Sequence, residues 1–282
     1  MDSQSELLSL AVLKAIKDGE LDPANVFGDG PVGPGKQRLI CNSVPKSGTY
    51  LLVELAKLMG FVDVGFHLNT DFVERRTTDE MTDQPRPMPL ILQVAGLKDG
   101  QCAPAHFQFS FVVENYLLSN TRYKMLFIIR DPRDLVVSWV DFVYSSNAYR
   151  SSEWNAYCQV QGALTYPDDE SRLAASIDGL LAMGLEGYLP WMNSPACLTV
   201  RFEDIYREVC TTGYGPELEK VAKYIGQPIS DASAVLGKGR TASSRRQTKI
   251  GVFRERMSDK NLARIAQPDF QKLVLQFGYP EI

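Results

Sequence analysis

Residues 43 to 51 read Ser43-Val44-Pro45-Lys46-Ser47-Gly48-Thr49-Tyr50-Leu51, between an apolar run at 38–41 and a helix-patterned stretch at 51–59. The order implied is strand, tight turn, helix. A helix start offers N–H groups without intrahelical partners and a partial positive charge, so an oxyanion is accommodated there. Lys46 adds a full charge, Ser47 and Thr49 add hydroxyls, and Gly48 lets backbone approach a ligand closely. A near match to the triphosphate loop G-x-x-x-x-G-K-[ST] lies upstream at Gly30-Pro31-Val32-Gly33-Pro34-Gly35-Lys36-Gln37. It puts Gln37 where a magnesium-binding hydroxyl belongs, and a strand follows it instead of a helix, so it reads as a Gly/Pro connector.

Working outward, 282 residues with 44% apolar content can bury a substantial core. The expected fold is α/β: a single domain with a mostly parallel central sheet flanked by helices. Residues 1–37 are expected as an N-terminal helix and connector packed on a domain spanning 38–282. The net charge of −4, with 30 basic against 34 acidic residues, gives no footprint for nucleic acid. Five cysteines without a C-x-x-C pair, and only two histidines, suit reduced thiols in a cytoplasmic protein and supply no zinc set. No apolar run reaches 18 residues, so no membrane partner is expected. The expected partner is a small molecule, with a homodimer as the one protein partner entertained.

Along the chain, 7–16 has helical periodicity, with Leu7, Leu8, Ala11, Val12, Ala15 and Ile16 on one face. Residues 69–89 are polar and read as a surface segment or lid, and 107–120 as helix. The continuous apolar run 125–129 fits a parallel strand buried on both faces. Asp131, Pro132 and Asp134 then suit the N-cap, N1 and N3 positions of a helix running past Val143. Helix is expected over 171–192 and 259–277, and strand over 198–202. Strands alternating with helices argue for a parallel sheet.

A second basic constellation follows the first by about 80 residues: Arg130-Asp131-Pro132-Arg133-Asp134-Leu135-Val136-Val137-Ser138. Arg130 ends the predicted central strand, where open α/β sheets hold their ligands. The two motifs together closely resemble the cytosolic-type sulfotransferases, which use 3′-phosphoadenosine 5′-phosphosulfate (PAPS) and release 3′,5′-diphosphoadenosine. The resemblance implies that Lys46, Ser47, Gly48, Thr49, Tyr50 and Leu51 hold the 5′-phosphosulfate. Arg130 and Ser138 then take the 3′-phosphate, helped by Arg246, Lys249 and Gly251 in Arg245-Arg246-Gln247-Thr248-Lys249-Ile250-Gly251-Val252-Phe253-Arg254. Phe202, in Val200-Arg201-Phe202-Glu203-Asp204, falls near the nucleotide where the family usually has tyrosine.

Several positions depart from the family pattern. Tyr50 and Leu51 replace threonine and tryptophan, Gln247 replaces a lysine, and Thr248 replaces the first glycine of the later loop. None removes an element that sulfuryl transfer requires. In that reaction an acceptor attacks sulfur in line, a base takes its proton, and a cation meets charge on the bridging oxygen. By resemblance His106 is the base and Lys46 the cation. His67 reads as structural or substrate-lining, and Arg133 and Asp134 as capping and surface charges. Tyr144, Tyr149, Trp154, Tyr157 and Tyr166 are candidates for the acceptor pocket. The expected acceptor is a small natural-product metabolite sulfated on a hydroxyl, amine or carbamoyl nitrogen. A triphosphate-using kinase and a nucleotide-binding protein without turnover are the alternatives.

Overall fold

The computed structural model describes residues 3–27, 32–35, 37–70, 72–75, 86–145, 166–236 and 250–281. The chain divides into two compact units, 1–78 with 83–129 and 190–238, and 79–82 with 130–189 and 239–282.

All eight described strands belong to the first unit. They are β1 Arg38–Ser43, β2 Val62–Asp63, β3 Phe66–Asn69, β4 Phe72–Arg75, β5 Arg86–Pro87, β6 Gln101–His106, β7 Tyr123–Ile129 and β8 Leu198–Arg201. The sheet order is β5-β4-β3-β6-β1-β7-β8, and β2 also pairs with β6. Pairs involving β1, β6, β7 and β8 are parallel, whereas β4 runs antiparallel to both β3 and β5. Leu39, Ile40, Cys41, Met125, Leu126, Phe127 and Ile128 are all fully buried. Their unbroken apolar run is that of a strand covered on both faces. On one side Leu39, Cys41, Leu126 and Ile128 pack with Leu51, Leu52 and Leu55 of the helix Thr49–Leu58, and with Phe202 and Ile205.

Several predicted bounds move for identifiable reasons. The helix expected from residue 107 begins at Phe111, because 101–106 is strand and Ser110 caps the helix by accepting Val113 N–H at 3.3 Å. The helix expected over 171–192 is an α-helix, Asp169–Ala182, followed by a 3-10 segment, Leu185–Asn193. Left-handed Gly184 separates the two, and Pro190 falls in the second. Pro268 likewise divides the last helical region into Asp259–Ile265 and Pro268–Gln276. The expected lid at 69–89 contains β4 and β5. The N-terminal helix Ser3–Lys17 packs on the helices Leu90–Ala95 and Phe111–Ser119. It does not bury the predicted face: Leu7 and Leu8 are 66% and 54% exposed while Ser9 is buried.

A Cβ on Gly33 would lie 2.4 Å from the Gly100 carbonyl oxygen, so that glycine serves close backbone packing.

The second unit is helical among its described residues, with Pro132–Ser145, Asp169–Ala182, Phe253–Arg256, Asp259–Ile265 and Pro268–Gln276. Asp131 caps the first of these, its carboxylate accepting Arg133 N–H at 3.0 Å. No described helix is long and apolar enough to cross a membrane.

Candidate functional site

In the first unit the site is built at the C-terminal ends of β1, β3 and β6, where an open α/β sheet presents ligands. The turn after β1 bends sharply: Lys46 has φ 72° and Gly48 φ 113°. A lysine in the left-handed region costs of order 1 kcal/mol or more, and such strain clusters at ligand sites. Gly48 has a second constraint, because a Cβ there would sit 2.6 Å from Phe202 Cδ2. The turn closes through Ser47 N–H to the Val44 carbonyl at 3.1 Å, and the Gly48 carbonyl accepts Leu51 N–H at 2.9 Å. Ser47 is fully buried, and its Oγ has no hydrogen-bond partner among the described residues. A buried hydroxyl in that state is expected to meet a ligand oxygen. With the helix-start N–H groups of Thr49–Leu58 and the ammonium of Lys46, the residues present fit a phosphate or sulfate group.

His106, the last residue of β6, is tied to this turn by hydroxyls. Its Nδ1 lies 3.1 Å from the Ser43 carbonyl oxygen and 3.0 Å from Ser43 Oγ. Ser43 Oγ in turn lies 2.6 Å from Thr49 Oγ1. A carbonyl only accepts, so Nδ1 carries the proton and Nε2 carries the basic lone pair. Burial pushes the His106 pKa down to about 4; the hydrogen bond to Ser43 opposes the shift and the charge of Lys46 adds to it. The imidazole is therefore neutral at cellular pH.

The surroundings lock this geometry. Asn42, fully buried on β1, donates from Nδ2 to the Phe107 carbonyl and accepts Phe107 N–H at Oδ1, both at 3.1 Å. On β3, Asn69 stands in register with His106. Gln93 fixes it, accepting Asn69 N–H at 3.1 Å and donating to the Asn69 carbonyl at 2.9 Å. The Asn69 side chain is 91% buried, and its Nδ2 has no partner among the described residues. The His67 and His106 rings meet at right angles with centroids 4.3 Å apart. Phe107 and Phe109 pack edge-on against Trp191, at 5.9 and 4.8 Å. Sequence reasoning missed Asn42, Ser43 and Asn69 as site residues. Asn42 carried a signal, since a polar residue inside an apolar strand needs dedicated partners.

Tyr50 is 52% exposed, whereas Leu51 is buried in the core cluster. Phe202 is buried too, stacked on Tyr206 at 5.2 Å with its ring beneath Gly48. Leu51 and Phe202 thus support the turn from below.

The second unit carries the other predicted anion residues. Arg130 is 3% exposed and Ser138 is 8% exposed. Arg133 and Asp134 are not surface charges, being 2% and 1% exposed. Arg133 grips Asp131 with Nε–Oδ1 at 2.8 Å and Nη2–Oδ2 at 2.6 Å, and donates to the Pro280 carbonyl at 3.0 Å. Asp134 accepts Gly251 N–H at 2.7 Å and Phe253 N–H at 3.2 Å. Burial raises its pKa, and Arg130 and the two N–H groups oppose that. Arg246, Lys249, Tyr149, Trp154 and Tyr157 lie outside the described residues, as does the side chain of Tyr144; Tyr166 is 38% exposed.

The family model for the sulfotransferase domain matches residues 36–256, and the chain belongs to that family. No curated protein sequence matches the chain. Among solved structures it is similar to mouse sulfotransferase SULT7A1 complexed with PAP (13% identity, 88% of this chain and 91% of that one, TM-score 0.48). It is also similar to retinol dehydratase in complex with androsterone and inactive cofactor PAP (14% identity, 90% and 84%, TM-score 0.48).

Proposed function

We propose that this sulfotransferase moves the sulfuryl group of PAPS to a hydroxyl, or to an amine or carbamoyl nitrogen, of a small cytoplasmic metabolite. The single observation that carries the reading is the contact chain His106–Ser43–Thr49, which couples a neutral imidazole to the anion-binding turn.

The nucleotide supplies an already activated phosphate–sulfate bond. Thr49, Ser47, Lys46 and the helix-start N–H groups orient the phosphosulfate for in-line attack. His106 Nε2 takes the acceptor proton, while the Ser43 carbonyl holds Nδ1–H and so stabilises the imidazolium that forms. With the Ser43 hydroxyl donating its hydrogen bond to Thr49 Oγ1, the Thr49 hydroxyl is left able to donate to the anion. The ammonium of Lys46 meets negative charge on the departing oxygen. The face of Arg130 and Ser138 in the second unit, with Arg246 and Lys249, is assigned to the 3′-phosphate. The aromatic group Phe107, Phe109 and Trp191, together with the Asn69 amide, supplies an apolar wall and one donor suited to an acceptor.

A thermal-shift series tests this reading, since ligands of the native state raise the melting temperature. 3′,5′-diphosphoadenosine is expected to stabilise the protein far more than 5′-AMP or ATP. Equal stabilisation by ATP would overturn the reading in favour of a kinase. Tight binding without sulfate transfer to any compound of a broad alcohol, phenol and amine panel would favour a protein without turnover.

A further inference from the structure

We propose that Asp134 is a positioning residue for the 3′-phosphate end of the nucleotide, acting through the turn at Gly251 without touching the ligand. This rests on the PAPS reading above. Arg130 lies two residues before the helix Pro132–Ser145, Asp134 lies in its first turn, and Ser138 follows four residues later on the same face. All three are buried. The Asp134 carboxylate could repel a phosphate beside Arg130 and Ser138, but each of its oxygens is already engaged. Oδ2 accepts Gly251 N–H at 2.7 Å, and Oδ1 accepts Phe253 N–H at 3.2 Å. The carboxylate thus holds the described turn Gly251–Phe253 on the helix that Arg130 precedes and that bears Ser138.

Two features give this contact its specificity. Gly251 has φ 74°, a conformation that presents its N–H to Asp134 and that side-chain-bearing residues rarely adopt. Phe253 is 1% exposed, with the Arg133 guanidinium 5.0 Å over its ring and Arg133 itself locked on Asp131 and the Pro280 carbonyl. The turn is therefore clamped by a carboxylate on its backbone and a cation on its ring, from adjacent residues of one helix. The role of Gly251 changes accordingly: its N–H belongs to Asp134, and the glycine serves to place its neighbours.

The test compares 3′,5′-diphosphoadenosine with 5′-AMP, which lacks the 3′-phosphate. Asp134→Asn keeps the shape but offers one acceptor oxygen where two are needed. It should weaken 3′,5′-diphosphoadenosine roughly ten- to hundredfold, the range expected for loss of a charge-assisted hydrogen bond. Affinity for 5′-AMP should stay within about twofold. Parallel loss of both nucleotides, or of neither, would overturn the proposal. A wild-type arm guards against misfolding of the variant. By hydrogen exchange, 3′,5′-diphosphoadenosine should slow the Gly251 and Phe253 amides more than 5′-AMP does, and equal protection would overturn the proposal. If the wild type binds no 3′,5′-diphosphoadenosine at all, the PAPS reading itself has failed.

Discussion

The two units bury polar groups by opposite means. His106 is oriented by neutral groups, a carbonyl and a hydroxyl of Ser43 with a second imidazole against its ring, and the nearby charge of Lys46 is a cation that further disfavours imidazolium. In the helical unit the buried groups are charged and matched: Arg133 on Asp131, and Asp134 on two N–H groups. A carboxylate on the imidazole would favour its protonated form. Hydroxyls and a carbonyl orient the ring without adding charge. The phosphate-holding role proposed for the helical unit makes the opposite demand, since fixed cations need anions nearby to hold their geometry. Neutral networks suit proton transfer, and charged ones suit placement.

The strongest way to break this contrast is to remove His106, the proposed base. His106→Ala is expected to lower single-turnover transfer by roughly 100- to 10,000-fold while leaving 3′,5′-diphosphoadenosine affinity nearly unchanged. Near-normal transfer by a folded variant would remove His106 from the mechanism. The wild type adds a pH signature. With its pKa near 4, His106 stays neutral through the ordinary imidazole range, so its contribution to turnover should be flat between pH 8 and 5 and fall only near pH 4. The stability sign follows. The unfolded histidine takes up its proton near pH 6.5 and the folded one only near 4, so stability falls as pH drops through that window. An inflection of turnover at 6.5 that His106→Ala abolishes would show a solvated, ordinary histidine.

Next in size, Lys46→Ala should reduce turnover about 100- to 1000-fold with a smaller effect on nucleotide binding, since its charge is needed most in the transition state. In the other unit, Arg130→Ala should weaken 3′,5′-diphosphoadenosine roughly ten- to hundredfold and spare turnover at saturating nucleotide. Identical kinetic patterns for the two variants would erase the division between reacting and placing residues.

The legibility of the site follows the same division. The anion turn announced itself because strand, Lys-Ser-Gly-Thr and helix are contiguous, and because Gly48 satisfies a positive φ and a close approach to Phe202 at one position. The helix start at Pro132 was equally local, written in Asp131 and Pro132. Asn42, Asn69 and Asp134 were not legible in that way, since each works through a partner distant in sequence. Asn42 holds Phe107, Asn69 meets His106 only through strand register, and Asp134 reaches Gly251. β3 and β6 were obscured for a related reason: they end in polar residues that the site needs, so Phe-His-Leu-Asn and Gln-Cys-Ala-Pro-Ala-His lack the apolar run of β7.

The smallest expected effect tests how the neutral network works. Ser43 offers His106 two oxygens, a backbone carbonyl at 3.1 Å and a hydroxyl at 3.0 Å. Ser43→Ala removes only the hydroxyl. If the carbonyl sets the tautomer, Nε2 keeps its lone pair and the base survives. Turnover should then fall about three- to tenfold, the worth of one neutral hydrogen bond of about 1 kcal/mol. The loss should appear in turnover more than in nucleotide affinity, because Thr49 loses its 2.6 Å partner yet keeps a hydroxyl for the anion. The pH profile should keep its flat form. A loss approaching that of His106→Ala would mean that the hydroxyl, not the carbonyl, orients the imidazole. Measuring Ser43→Ala beside Thr49→Ser then separates the two, since Thr49→Ser preserves the relay to Ser43 and should leave transfer nearly intact.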